Sequence, residues 1–487
     1  MDKIPELEKV GECVWEIGPG YKQGMRTRAR LFMDEDLLRE VVEKESKSWS
    51  TIEQLTNVAC LQGIAGPAIA MADAHPGYGF PIGGVAAFQA EDGVITMGGV
   101  GFDSNCGVRA LATSLDESEV RIGLSDLMDA LFKRVPAGLG ARSLQLTEAQ
   151  EEEVLVRGAR WAVENGYGWD EDLRRTEDEG CLEGADPDRV GETAKKRGMG
   201  QFGTLGSGNH YLEVQVVGRV LDEEFAKALG LESGRVVVSI HCGSRALGHQ
   251  VGADYLKVLD GAVKRYGIRI PDRELVCAPF YSEEGQAYFG ALNCAMNVAY
   301  ANRQIIAHRV RECFSEVFRA SPEDLGMHQV WDVGHNTGKL EEHLADGHTR
   351  KLVVHRKGAT RAFGPGRVEL PPEYRESGQP VLVGGSMGTS SFVLRPTARA
   401  MELSWGSAVH GAGRSMSRNK AKRRFWGERL VSELSKQGIL VKGHSMSGIA
   451  EEAPGAYKDV ARTVRVMECA GLATRAVELR PIGNIKG

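Results

Sequence analysis

The chain has 487 residues, with 60 Lys+Arg against 66 Asp+Glu and 42% hydrophobic residues. That length buries a sizeable core in one large domain or several ordinary ones, and the composition excludes global disorder. A formal net charge of −6 excludes the global electrostatic signature of a nucleic-acid binder, so any basic surface must be local. The 61 glycines are about 12.5% of the chain against a typical 7%. No collagen-like period accompanies them, so they point to tight turns and to loops that pass close to ligands. The nine cysteines are scattered without a C-x-x-C pair, and the opening MDKIPELEKV is not a secretory signal. The expectation is no disulfide framework and a reducing, cytoplasmic setting.

In chain order, residues 34–46 read as a helix, with Asp34 as its N-cap and Leu37, Leu38, Val41 and Val42 as its apolar stripe. Residues 60–110 are glycine-dense with short apolar runs, which predicts short strands joined by site-forming loops. Residues 115–195 are more charged and predict two or three helices, one over 147–165, as an insertion or lid. A strand VVVSI ends at His241. The apolar stretch Ala287 to Val310 is interrupted by Asn293, Asn297, Asn302, Arg303, Gln304 and His308. It predicts a buried helix over 285–318 and no membrane span. VWDVGHN and KLVVHRKGATRAFGPG run strand into loop, and VLVGGSMGTSSFVL reads strand, turn, strand. His343, His348 and His355, with Glu341, Glu342 and Asp346, read as a polar surface loop. A basic helix follows His410 (Arg414, Arg418, Lys420, Lys422, Arg423, Arg424), and the C-terminus reads helix, strand, then a short tail to Lys486. Without a regular βαβ rhythm, the fold class is α+β.

Six residues share one setting, beside glycine at the end of an apolar run: His75, Cys106, His210, His241, His335 and His410. A side chain there can enter a cavity from a rigidly held backbone. Each alone has an ordinary reading as a packed core residue, but core packing does not explain the repetition. Asp103 and Cys106 form a D-x-x-C pair, a hard oxygen beside a soft thiolate. With imidazoles this suits zinc, cobalt, copper or iron, and with water also manganese. One shared thiolate can hold two ions about 3.5–4 Å apart, as in phosphoryl chemistry. GTLGSGNH, GGSMGTSS and HGAGR are glycine loops suited to phosphate, and none is a P-loop or a Rossmann fingerprint. The basic helix is either a solvated face or a track for a nucleic-acid backbone.

The motifs DAHPGYGFPIGG, GGVGFDSNCGVR, GQFGTLGSGNHYLEVQ, HCGSRALGHQ, HRKGATRAFGPG, GSMGTSSFVL, HGAGRSMSR and LRPIG–x–x–KG together resemble the RtcB-type RNA-splicing ligases, from about residue 20 to the C-terminus. The resemblance implies one large compact domain over 1–487, with mixed β-sheets flanked by helices around a central dinuclear metal cleft. It implies a ligase using GTP and two Mn²⁺ to join RNA 3′-phosphate or 2′,3′-cyclic phosphate ends, such as tRNA halves, to 5′-hydroxyl ends. The work would be tRNA splicing or RNA repair, with an archease-type activator as a further partner. Matched position by position, Asp103, Cys106 and His210 correspond to one metal site, with Cys106 bridging to a second completed by His241 and His335. Asn209, His210, Tyr211, Leu212, Glu213, His335, Asn336, Gly384, Gly385, Ser386, Met387, Ser391, His410, Gly411, Ala412, Gly413 and Lys486 correspond to guanine-nucleotide contacts. His410 corresponds to the histidine that takes up GMP. Arg197 and Arg245 correspond to RNA or phosphate contacts. Two rival readings use fewer of these residues. A dinuclear metallophosphoesterase of nucleic-acid ends needs the metal cluster but not His410. A non-catalytic RNA-binding subunit needs only the basic helix.

Overall fold

Two large sheets carry the molecule, and their central strands, near-continuous in small and apolar residues, are buried on both faces. The computed structural model describes residues 6–44, 50–345 and 347–487. The first sheet has seven strands in the order Leu7–Gly11, Val14–Ile17, Ala29–Phe32, Ile64–His75, Ile82–Gln89, His348–Lys357, Asn336–Ala345. The second has eight. Seven run in the order His328–Gly334, Gly107–Asp116, Arg235–Cys242, Tyr211–Val220, Ala473–Lys486, Ser391–Pro396, Val381–Val383, and Leu440–Gly443 pairs with Ala473–Lys486. Both sheets are mixed: Ala29–Phe32 runs parallel to Ile64–His75, and Leu440–Gly443 parallel to Ala473–Lys486, among antiparallel neighbours. The architecture is the expected α+β single domain with mixed sheets flanked by helices.

The buried helix Glu283–Phe318 covers the second sheet. Its polar residues are buried because each finds a partner. Asn297 Nδ2 donates to the carbonyls of Leu155 and Val156 at 3.0 Å each, which ties this helix to Glu148–Glu164. Asn302 Oδ1 accepts from Gly203 N at 2.7 Å. Buried donors and acceptors left unpaired cost about 1–3 kcal/mol each, so this pairing is what permits asparagines in a core helix. The helix Glu148–Glu164 bends at Gly158, which has φ 54°. Among the described residues no helix is long and apolar enough to cross a membrane.

Several local expectations need correction. The helix at 34–46 is observed over Glu35–Lys44 with Leu37 N on Asp34 Oδ1 at 2.8 Å, and residues 45 and 46 lie outside the described residues. The run 60–110 holds a strand of 12 residues, Ile64–His75, longer than expected. The polar histidine run is no surface loop. His343 and His355 point inward from a hairpin and are buried, His343 against Glu341 at 2.8 Å. Its alternating pattern is a strand period, hidden by the charge of the buried pair. Asp346 lies outside the described residues. The basic helix begins only at Arg418, after Ser417 caps Lys420 N, and Arg414 lies in the preceding loop. The C-terminal tail is strand as far as Lys486, because it pairs with Tyr211–Val220. One disulfide is present where none was expected: Cys13 and Cys469 bond across a sequence separation of 456, with Cα atoms 5.9 Å apart. Spacing could not show it, since the chain ends meet only in the folded state.

Candidate active site

Strand register gathers the candidate ligands. Gly107 pairs with Gly334 on one side and Cys242 on the other, and His241 pairs with Tyr211. Cys106, His335, His241 and His210 therefore lie at the same end of four neighbouring strands. Asp103 reaches them from the preceding loop. Its Oδ2 is 2.7 Å from His210 Nε2. Cys106 Sγ is 3.3 Å from His210 Nε2 and 3.2 Å from His241 Nε2. His241 Nε2 is 3.2 Å from His335 Nε2. Two triads result, Asp103–Cys106–His210 and Cys106–His241–His335, each with its ligand atoms within 4.8 Å, and they share the thiol.

The surroundings hold this geometry. His210 Nδ1 is 2.9 Å from the carbonyl of Leu205, which leaves Nε2 for the cluster. Arg303, from the buried helix, donates to the carbonyls of Asn105 at 2.7 Å and Cys242 at 2.9 Å, and pairs with Asp332 at 2.8 Å. Burial, then the positive charge around them, holds His241 and His335 well below the ordinary imidazole pKa. They are neutral, the form that ligates metal. Burial and then Asp103 push the Cys106 thiol up, while Asp103, despite its burial, is brought to about 2, chiefly by His210. A closely packed thiol, three imidazoles and a carboxylate fit two divalent ions, since a cation reverses the repulsion and deprotonates the thiol.

A cavity of about 310 Å³ opens on this cluster. Its walls include Asn209, Tyr211, His335, Asn336, Gly384, Gly385, Ser386, His410, Gly411, Ala412, Gly413 and Lys486. Lys486 Nζ lies 5.2 Å above the Tyr211 ring. Other expected nucleotide residues stand behind the wall. Glu213 is buried, accepts from Asn484 and accepts from Gln215 at 2.6 Å. Burial, against the pull of Asn484 and Lys486, raises its pKa to about 7. Ser391 Oγ accepts from Gly385 N at 3.0 Å. Asn336 is spent internally, donating to Asp103 O at 3.1 Å and accepting from Gly358 N at 2.8 Å. Leu212 and Met387 belong to apolar clusters. The arginines are not in the cavity wall: Arg197 Nη1 pairs with Gln250 at 2.5 Å, and Arg245 Nε with Thr204 at 3.2 Å. Arg245 still acts on Asp103 through its charge.

His410 follows the short strand Ser407–Val409, and its ring centroid is 4.8 Å from that of His335. The partner that sequence reading missed is Asp73, fully buried on the strand Ile64–His75. Asp73 Oδ2 is 2.7 Å from His410 Nδ1 and accepts the His410 backbone N–H at 3.1 Å. That pairing places the hydrogen on Nδ1 and leaves the Nε2 lone pair free. The loop comes this close because Gly413, at φ 71°, lies against the Asp73 carbonyl, where a Cβ would meet it at 2.1 Å. The missed signal was an aspartate in the apolar run AIAMADAH, since a buried carboxylate needs a partner. Lys357, Arg414 and Arg418 also line the cavity and were not singled out as site residues. Lys357 Nζ donates to the carbonyls of Tyr78 and Phe80, and burial brings its pKa down to about 7.

The family model described as "tRNA-splicing ligase RtcB" matches residues 54–487. Proteins named tRNA-splicing ligase RtcB are similar over whole chains. That of Thermococcus kodakarensis is 52% identical over 488 residues, 100% of both chains. That of Archaeoglobus fulgidus is 51% identical over 482 residues, 99% of both chains. That of Methanococcus maripaludis is 48% identical over 482 residues, again 99% of each. With its sheet-end cluster, its glycine-lined cavity and these full-length similarities, the chain belongs to the RtcB family.

Proposed function

We propose that the protein is a GTP- and manganese-dependent RNA ligase that joins 3′-phosphate or 2′,3′-cyclic phosphate ends to 5′-hydroxyl ends, with 115–195 an inserted segment of its single domain. The observation that carries this reading is His410, held by buried Asp73 beside two metal-donor triads in one cavity. A phosphoesterase needs the triads but does not require His410, and a bare RNA-binding subunit requires neither.

Asp103, Cys106 and His210 would hold one ion, and Cys106, His241 and His335 the other. When bound, the metals supply charge neutralisation at phosphoryl oxygens. The Nε2 atom of His410 attacks the α-phosphorus of GTP, the P–O bond to pyrophosphate breaks, and a phosphoramidate forms. Asp73 keeps the proton on Nδ1 and stabilises the charge that the ring acquires. Gly384, Gly385, Ser386, Gly411, Ala412 and Gly413 line the cavity, where small residues let the triphosphate approach the backbone closely. Lys486, at the cavity wall, and Glu213, buried behind it, would recognise the guanine edge. An RNA 3′-phosphate oxygen then displaces His410 from GMP, and the 5′-hydroxyl attacks the activated end, releasing GMP. The phosphate monoester is a poor electrophile, and guanylylation gives it a leaving group. Incubation with α-labelled GTP and manganese tests the reading. Covalent label on the protein that RNA 3′-phosphate removes is expected, and no label with loaded enzyme would sink it.

A further inference from the structure

The helix Arg418–Arg424 has five cations in seven residues and no acidic residue. Its two faces differ. Arg418 and Lys422, one turn apart, turn to Glu451, at 3.1 and 2.8 Å. Lys420 and Arg423 share the other face, with Arg424 beside them. Among the described residues Lys420 and Arg423 meet no carboxylate, and Arg424 lies over the Phe425 ring at 5.6 Å. Two residues beyond Arg424 stands Trp426, 71% exposed, although nothing in a watery surface rewards exposing an indole. At its other end the helix starts at the cavity, where Arg418 forms part of the wall. The charge is local in a chain whose net charge is −6. A cationic face that ends in an exposed aromatic ring matches single-stranded nucleic acid, with phosphates on the cations and a base on the ring. A protein partner would call for a broader apolar patch than one indole.

Resting on the ligase reading, we infer that the outward face of this helix and the Trp426 ring form a track for single-stranded RNA leading to the cavity. Lys420, Arg423 and Arg424 hold phosphates, and Trp426 stacks one base upstream of the reacting end. The helix spans roughly 10 Å, so the track engages only RNA that extends past the cavity lip.

The test compares binding of two 3′-phosphorylated RNAs by fluorescence anisotropy, one long and one too short to leave the cavity. Trp426→Ala should weaken the long RNA about 5- to 150-fold, and Trp426→Phe should restore most of it. Lys420→Gln with Arg423→Gln should flatten the slope of log K against log salt by about 1.4, because each released cation contact counts about 0.7 on single strands. Short-RNA binding and labelling by GTP should stay at wild-type levels. Unchanged affinity and salt slope on the long RNA would overturn the track, as would an equal loss on the short RNA. A loss seen only against a protein partner would also overturn it. Absent GTP labelling in the wild type would overturn the ligase reading instead, while the long–short difference would still decide the track.

Discussion

At the scale of single residues, His410 and its carboxylate partner separate nucleophile from ligand. His410→Ala should abolish labelling by GTP yet retain both metals and still seal RNA supplied with a pre-activated 3′ end. His335→Ala should fail in both assays, with metal content measured by atomic emission; loss of metal from His410→Ala would make that histidine a ligand. Asp73→Asn keeps the shape but removes the carboxylate that faces Nδ1 at 2.7 Å. Labelling should slow by about 10²–10⁴-fold at unchanged metal content, the range of an oriented acid–base partner. Glu213 supplies a pH signature. Its pKa is raised by burial to about 7. On the proposed reading a guanine edge would donate to the ionised carboxylate, so GTP affinity should rise with pH up to about 7, by at most about tenfold per unit, and level off above. Glu213→Gln should flatten this profile, which isothermal titration at several pH values reads. For stability the sign is opposite. A raised carboxyl pKa means the folded state binds more protons, so stability falls as pH rises from the unfolded value to about 7.

At the scale of elements, the long helix Glu283–Phe318 and the strand His328–Gly334 are locked by charge. Asp332 is fully buried between Arg303 and Arg109, at 2.8 and 2.6 Å. Asp332→Ala leaves both guanidiniums buried without their carboxylate, which costs about 3–5 kcal/mol. Arg303 also holds the carbonyls of Asn105 and Cys242, next to Cys106 and His241. Denaturant unfolding should show the destabilisation, and metal affinity should fall with it; metal binding at wild-type strength would separate the network from the ligands. Elements were legible where their period was clean. Leu37, Leu38 and Val41 marked the first helix, and VVVSI marked its strand. Of the hairpin with His343 and His355, the KLVVHRK strand was legible and the strand Asn336–Ala345 was not, because buried charged pairs such as Glu341–Arg356 imitate a solvated loop. The C-terminal strand was legible, but its continuation through the tail to Lys486 was not, because its partner Tyr211–Val220 lies about 270 residues earlier.

At the scale of the whole molecule, the Cys13–Cys469 bond ties the first hairpin to the end of the helix Val460–Cys469. Cys13→Ser, or reduction, should lower stability by about 2–5 kcal/mol while labelling by GTP at moderate temperature persists. Differential scanning calorimetry with and without reductant checks this, and an unchanged melting temperature would mean the bridge contributes nothing.

The amino-acid sequence by itself determined the site's chemistry. Thiol, imidazole, carboxylate and glycine loops are written in residue type, and residue type decides what can ligate, attack or cradle a phosphate. It also determined local periods, and with them the α+β class. Only the tertiary structure decided which of these groups meet. Cys106, His210, His241 and His335 converge because strand register aligns four strand ends. Asp73 reaches His410 across 337 positions because Gly413 permits the close approach. Trp426 became informative only once its exposure was known. Such pairings depend on long-range packing, whose free energy comes from contacts between segments and leaves no period in either one.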